Sequence, residues 1–318
     1  MKNKILNNRG IALITVILII AILVAVVIEL NRSSRADIYD AANVSDGIKL
    51  TYIAKSGFYG AAALLTNSKN NYDTLRDDWA HMETISLQSN TLFTDGYFIA
   101  RIEDETGKIP LNKIVYENGY YKMLLRLLQQ PEFGLDERKA TEIADSIVDW
   151  IDSDDNITGL GAESAYYLSL NPPYEAKNAP LDCIEELLMI KGITKEIYYG
   201  TKEKPSLAQY VTADSDDGSI NVNTAPKMVL RSLAEEISPE LADKMDEYRT
   251  KEGNDLSGTK WFQDMAGVTI DPELHLTVNS SYFKIISTGQ MSNMAKTISG
   301  IVKKSSDKSV QIIKWRQD

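Results

Sequence analysis

The chain has 318 residues, 43% hydrophobic and 25% charged, with 34 basic against 45 acidic side chains and a net charge of −11. That length suits roughly two domains of 100–200 residues each, and the composition is that of a protein with packed cores. The acid excess disfavours a phosphate-backbone partner and suits hard cations, and the single cysteine, Cys183, excludes an intrachain disulfide.

Residues 11–28 are apolar apart from Thr15, about 27 Å of helix at 1.5 Å per residue, near the lower limit for crossing a bilayer core. Lys2, Lys4 and Arg9 precede this run, which keeps the leader cytoplasmic and the remainder outside. A secretory signal peptide has a shorter apolar region and then a small-x-small cleavage site; Glu29-Leu30-Asn31-Arg32 stands here instead. A plain signal anchor fits the hydropathy equally well. Arg9-Gly10, directly before the apolar run, resembles the processing site of type IV prepilins and pseudopilins. The resemblance implies cleavage by a prepilin peptidase between Gly10 and Ile11, with methylation of the new terminus. Most members of that superfamily carry glutamate at the fifth mature position, where it pairs with the terminal amine of the subunit ahead. Here that position is Thr15. A carboxylate in hydrocarbon is costly unless paired, so its loss suits a subunit with no neighbour ahead, or an ordinary anchor.

Beyond the apolar run, Leu50, Ala54, Phe58, Ala61 and Leu65 recur at three and four residues, one face of a helix. A nearly continuous helix is predicted from residue 11 to about residue 66. Residues 97–103 (YFIARIE) read as a strand, 106–108 as a turn, and 109–111 as the continuation of a hairpin. Residues 282–287 and 297–303 form a second strand pair, joined by the polar stretch 288–294. Between lie helix candidates at 120–130, 137–151, 184–190, 227–236, 239–249 and 261–265. The fold class is α+β: a long N-terminal helix on a small antiparallel sheet, with a large helical domain inserted between strands. The boundaries are a leader (1–10), a transmembrane helix (11–28), an α+β domain (29–112 and 276–318) and the insert (113–275).

The candidate helix 137–151 runs into Asp152-Ser-Asp154-Asp155-Asn156. Counting Asp152 as one puts Asp154 at three, Asn156 at five, Thr158 at seven and Glu163 at twelve, the oxygen-ligand positions of an EF-hand calcium loop. Ile157 stands where that loop needs glycine, so the geometry must differ from an EF-hand. The bland reading is a solvated acidic loop capping a helix. Asp152, Asp154 and Glu163 are the leading ligand candidates, with Asn178 and Asp149 as further ones. A second cluster, Asp214-Ser-Asp216-Asp217, reads as a solvated turn. Residues 187–194 (LLMIKGIT) resemble a helix-hairpin-helix turn, but Asp182, Glu185 and Glu186 stand beside it and favour a structural helix pair over a DNA contact. Neither His81 nor His275 has metal or triad spacing, and no nucleophile elbow, zinc-protease or phosphate-loop motif is found, so no enzyme is expected.

Several stretches in order, 102–112 (IEDETGKIPLN), 149–155 (DWIDSDD), 161–167 (GAESAYY), 172–180 (PPYEAKNAP), 190–194 (IKGIT) and 220–226 (INVNTAP), resemble the protein K family of minor pseudopilins of type II secretion. That resemblance implies a calcium-binding insert and no bond-making chemistry. It implies a single-pass inner-membrane subunit with a periplasmic C-terminal domain, at the tip of a pseudopilus with minor pseudopilins I and J and the major pseudopilin below. There it initiates assembly and supports export through the outer membrane. The alternative is a type IV pilus or DNA-uptake minor pilin that binds nucleic acid through its hairpins.

Overall fold

The computed structural model describes residues 9–68 and 70–317. Most of the leader read from the sequence, Lys2 and Lys4 included, lies outside the described residues. The first helix, α1 (Arg9–Thr66), is unbroken. Its buried positions begin only at Leu50 and continue through Ile53, Ala54, Phe58, Ala61 and Leu65. The part before Leu50, roughly 60 Å at 1.5 Å per residue, projects from the rest of the chain. Its apolar first half has an exposed window of mean hydropathy 3.6, long enough to cross a membrane.

After α1 come a 3-10 turn (Asp78–His81), α2 (Met82–Ser86) and a second 3-10 turn (Leu87–Thr91). Strand β1 (Tyr97–Asp104) follows, then β2 (Ile109–Pro110). The insert contributes α3 (Gly119–Leu128), α4 (Glu137–Ile151), α5 (Ser164–Tyr167) and a 3-10 segment (Ile184–Met189). It continues with α6 (Lys195–Tyr199), β3 (Val211–Thr212), β4 (Ile220–Asn221), α7 (Lys227–Ser232), α8 (Pro239–Thr250) and α9 (Lys260–Ala266). The chain returns through β5 (Leu276–Thr277) to β6 (Tyr282–Met291), β7 (Met294–Lys304) and β8 (Val310–Gln317).

The main sheet has the order β1-β6-β7-β8, antiparallel throughout. The sequence reading of a β1–β2 hairpin is corrected: β1 pairs with β6, and β2 pairs in parallel with β3 inside the insert. The cause lies at the turn. Glu105 N–H goes to Tyr282 C=O at 2.9 Å and Thr106 N–H to the Asp104 carboxylate at 2.8 Å, which sends the chain under the insert rather than back along β1. The polar stretch 288–294 is also not a loop. It extends both strands to a two-residue turn at Ser292-Asn293, where Met291 pairs with Met294 and Ser292 takes φ 51°. Strand β8 and the short helices after α1 were not anticipated.

Helix α1 lies on one face of this sheet over a core of Phe58, Phe98, Ala100, Phe283, Ile285 and Ile298. Gly57 makes the approach close: a Cβ there would stand 2.6 Å from the Phe98 ring. The insert has a separate core that begins at Ile109 and Leu111, runs through α3 and α4, and closes at Leu274 and Val278. Charged clamps tie it to the sheet. Asp214 meets Lys314 at 2.5 Å, and Asp216 meets Lys303 and the Tyr282 hydroxyl, each at 2.6 Å. Asp214 and Asp216 of the second acidic cluster therefore grip sheet lysines, while Asp216 and Asp217 stay exposed, as a solvated turn requires. At the entry and exit of the insert, the buried Asp104 carboxylate accepts from Thr224 Oγ1 at 2.5 Å and from Ser280 Oγ.

Candidate metal centre

Helix α4 starts on a satisfied cap, the Asp136 carboxylate accepting the Lys139 N–H at 2.7 Å. Its apolar stripe, Ile143, Ile147 and Trp150, packs into the insert core. Asp145, Asp149 and Asp152 follow one another at four and three residues, so they share the helix edge that faces the loop. The loop is pinned back onto that edge by its own amides: Thr158 N–H donates to Asp149 Oδ1 at 2.9 Å, and Leu160 N–H to Asp145 Oδ2 at 2.8 Å. Asp145 Oδ1 takes the Tyr121 hydroxyl at 2.7 Å, which completes its bonding. Gly161 is required at the return, because a Cβ there would stand 2.2 Å from Asp149 Oδ2.

This folding-back brings Asp149, Asp152 and Glu163 together, one carboxylate oxygen from each lying within 4.8 Å of the others. Asp149 and Glu163 are buried and Asp152 is half-buried. Asp149 Oδ2 and both Glu163 oxygens meet no hydrogen-bond donor, and the same holds for the buried Asn178 Oδ1. Buried polar atoms nearly always find partners, so four such oxygens around one loop are notable. The electrostatics agree. Burial, then the charges of Asp149, Asp152, Asp155 and Asp154, push the Glu163 carboxyl up to about 8. Burial also raises Asp149, against the Thr158 N–H, and raises Asp152. Nearby cations are spent elsewhere: Lys191 on the Leu160 and Gly161 carbonyls and Glu142, Lys177 on Asp182 and Glu186. An all-oxygen set of anionic ligands without a counter-charge is the donor chemistry a hard divalent cation takes.

The candidate residues fall into three groups. Asp149, Asp152 and Glu163 converge. Asn178, at φ 48°, donates through Nδ2 to Asp155 at 3.1 Å and keeps its oxygen buried and free. Asp154 is exposed and accepts from the Asn156 backbone and side-chain amides at 2.8 and 2.6 Å, so its Oδ1 serves the loop itself. Asp155, tied to Asn178, was not among the candidates; loop spacing alone does not distinguish it from Asp154. Cys183 is half-buried, and burial with the neighbouring Glu185 charge raises its thiol pKa. Gly10 and Ile11 are exposed within α1.

The chain matches a family model described as type II secretion system protein K over residues 107–213. The type II secretion system protein K of Pseudomonas aeruginosa is 27% identical over 96% of this chain and 92% of its own length. That of Klebsiella pneumoniae is 28% identical over 69% of this chain and 67% of its own. The crystal structure of the GspK-GspI-GspJ complex of the enterotoxigenic Escherichia coli type 2 secretion system contains a chain of the same fold. Its TM-score is 0.65, at 18% identity, covering 88% of this chain and 98% of that one. The long helix on an antiparallel sheet and the helical insert agree with these matches: the chain is similar to type II secretion system protein K along most of its length and shares the fold of the chain in that complex.

Proposed function

We propose that this subunit caps the pseudopilus, initiates its assembly together with minor pseudopilins I and J, and so supports export through the outer membrane. Its C-terminal domains then lie in the periplasm after a prepilin peptidase cuts between Gly10 and Ile11. The observation that carries the reading is Thr15. Its hydroxyl donates to the Ile11 carbonyl at 2.9 Å within its own helix, so the first turns of α1 hold no carboxylate for the amine of a subunit ahead. Below it, α1 is equipped for neighbours. Ile38, Val44, Ile48 and Tyr52 are exposed along α1, an apolar surface that suits another helix. The relative of known structure is described in complex with GspI and GspJ.

Calcium at Asp149, Asp152 and Glu163, with Asn178 Oδ1 and the carboxylates of Asp154 and Asp155 near at hand, gives the insert its structural pin. Bound there, it neutralises the crowded carboxylates and fixes a loop that has little apolar packing of its own. The reading is tested with the full chain in detergent, mixed with purified proteins I and J. A stable ternary complex is expected, with Ile48→Asp and Tyr52→Asp weakening it; no association of the wild type sinks the reading.

A further inference from the structure

The outer edge of β1 is satisfied at its start by Ser86 and Ser89 and open beyond it. In an antiparallel pair, alternate residues direct both backbone groups away from the partner strand. On β1 these are Phe98, Ala100, Ile102 and Asp104. Ser89 Oγ takes the Phe98 N–H at 3.0 Å and donates to its C=O at 2.8 Å, and Ser86 Oγ takes the Ala100 N–H at 3.1 Å. Past the strand's other end, the Thr106 C=O accepts the Asn221 N–H at 2.9 Å. Between them, the outward N–H and C=O of Ile102 have no hydrogen-bond partner among the described residues. The opposite edge of the sheet is blunted by a bulge beside Ile301/Val302 and by Lys314 and Arg316 on β8, familiar protections of an edge strand.

The open stretch of β1 borders a groove of about 650 Å³ between sheet and insert. Its lining includes Leu75, Trp79, Tyr198 and Tyr199, with Lys284 and Ile286 from the neighbouring strand β6. Tyr199 is 63% exposed. Lys284 is half-buried and has no ion pair within 4.0 Å among the described residues. The unpaired N–H and C=O of Ile102, the apolar part of the walls and Lys284, which faces Glu103 across the strands without a close ion pair, form a consistent set. They stand beside the charged Arg101, Glu103, Asp104, Lys108 and Glu185 of the same groove. Main-chain groups give affinity to an added strand, and pockets beside them give selectivity.

We propose that this groove binds an extended segment of another polypeptide by adding it as a strand to β1 at Ile102. The segment is apolar, with one carboxylate that meets Lys284. Full-length protein in detergent micelles is panned against displayed random heptapeptides, and the recovered peptides are synthesised and their Kd measured. Recovered peptides should carry a carboxylate among apolar residues. N-methylation at alternate residues should weaken binding about tenfold or more, and at the intervening ones less than about twofold, because only every second amide faces β1. Lys284→Glu and Tyr199→Ala should each weaken binding about tenfold without lowering the melting temperature, and Lys284→Gln serves if the charge reversal misfolds. Recovery of no peptide above background, or uniform tolerance of N-methylation, or no effect of either Lys284 variant overturns the proposal. Self-association without peptide that Lys284→Glu abolishes also overturns it, because the occupant is then a second copy of this chain.

Discussion

The carboxylates of Asp149 and Glu163 converge within 4.8 Å with three of their oxygens, Asp149 Oδ2 and both from Glu163, unmet by any donor. Two buried acids facing each other repel unless a proton or a cation lies between them. A structural cation stabilises by its binding to the folded state alone, about 3 kcal/mol at a hundredfold excess over Kd. Thermal unfolding of the full chain is expected to shift up by several degrees on adding millimolar calcium and back down with chelator. Asp149→Asn and Glu163→Gln should abolish the shift, while Asp154→Ala should reduce it less. An unchanged melting temperature in all conditions removes calcium from the account.

Asp104 gives a pH dependence of defined sign. Burial raises its carboxyl from 3.8 to about 6, against hydrogen bonds from Ser280, Thr224 and Thr106. The native state thus holds the proton more tightly than the unfolded chain. Its contribution is fully present below about pH 4 and is lost as pH rises through about 6, on the order of 3 kcal/mol in all. Asp104→Asn keeps an acceptor for the Thr106 N–H and removes the ionisation. Denaturant melts of the two proteins from pH 4 to 8, in chelator, should show the variant gaining relative stability across that window. Parallel curves contradict this.

Gly57 sets the distance between α1 and the sheet. A Cβ there would lie 2.2 Å from Ser287 Oγ and 2.6 Å from the Phe98 ring. Gly57→Ala is expected to destabilise by about 1–3 kcal/mol through overpacking. Ser287 Oγ is buried without a partner, so Ser287→Ala removes one clash at little cost. The double variant should lie above the sum of the two singles by denaturant midpoint, since contacting sites couple; strict additivity contradicts the contact.

Lys304 and Asp73 form a buried ion pair, with side chains 10% and 2% exposed, that joins the end of β7 to the segment after α1. Asp73 also accepts the Ser280 N–H at 2.8 Å. Lys304→Met strands a buried carboxylate, at about 3–5 kcal/mol. Lys304→Met combined with Asp73→Asn should recover much of that loss in the same measurement.

Legibility in the sequence followed the range of the interactions. The α1 stripe from Leu50 to Leu65 and the bounds of α4 were readable because helical periodicity and the Asp136 cap are local signals. The false hairpin at residues 109–111 arose because apolar Ile109 and Leu111 look alike whether they meet β1 or the insert core; only the remote partner β3 decides. Strand β8 was hidden because its apolar–polar alternation breaks at the adjacent Ile312 and Ile313, where the bulge shifts the register. At the acidic loop, spacing pointed first to Asp152, Asp154 and Glu163, and the fold brings Asp152 and Glu163 beside Asp149. Asp154 took a leading place because an EF-hand count cannot show that Asn156 claims its Oδ1. The grip of Asp214 and Asp216 on Lys314 and Lys303 was not legible because those lysines lie far along the chain.

The central claim concerns position in the fibre. The proposed tip position rests on Thr15, whose hydroxyl donates to the Ile11 carbonyl. Immunogold labelling of the C-terminal domain on assembled pseudopili tests this most directly. The account expects label at one end of each fibre only; label distributed along the shaft contradicts it.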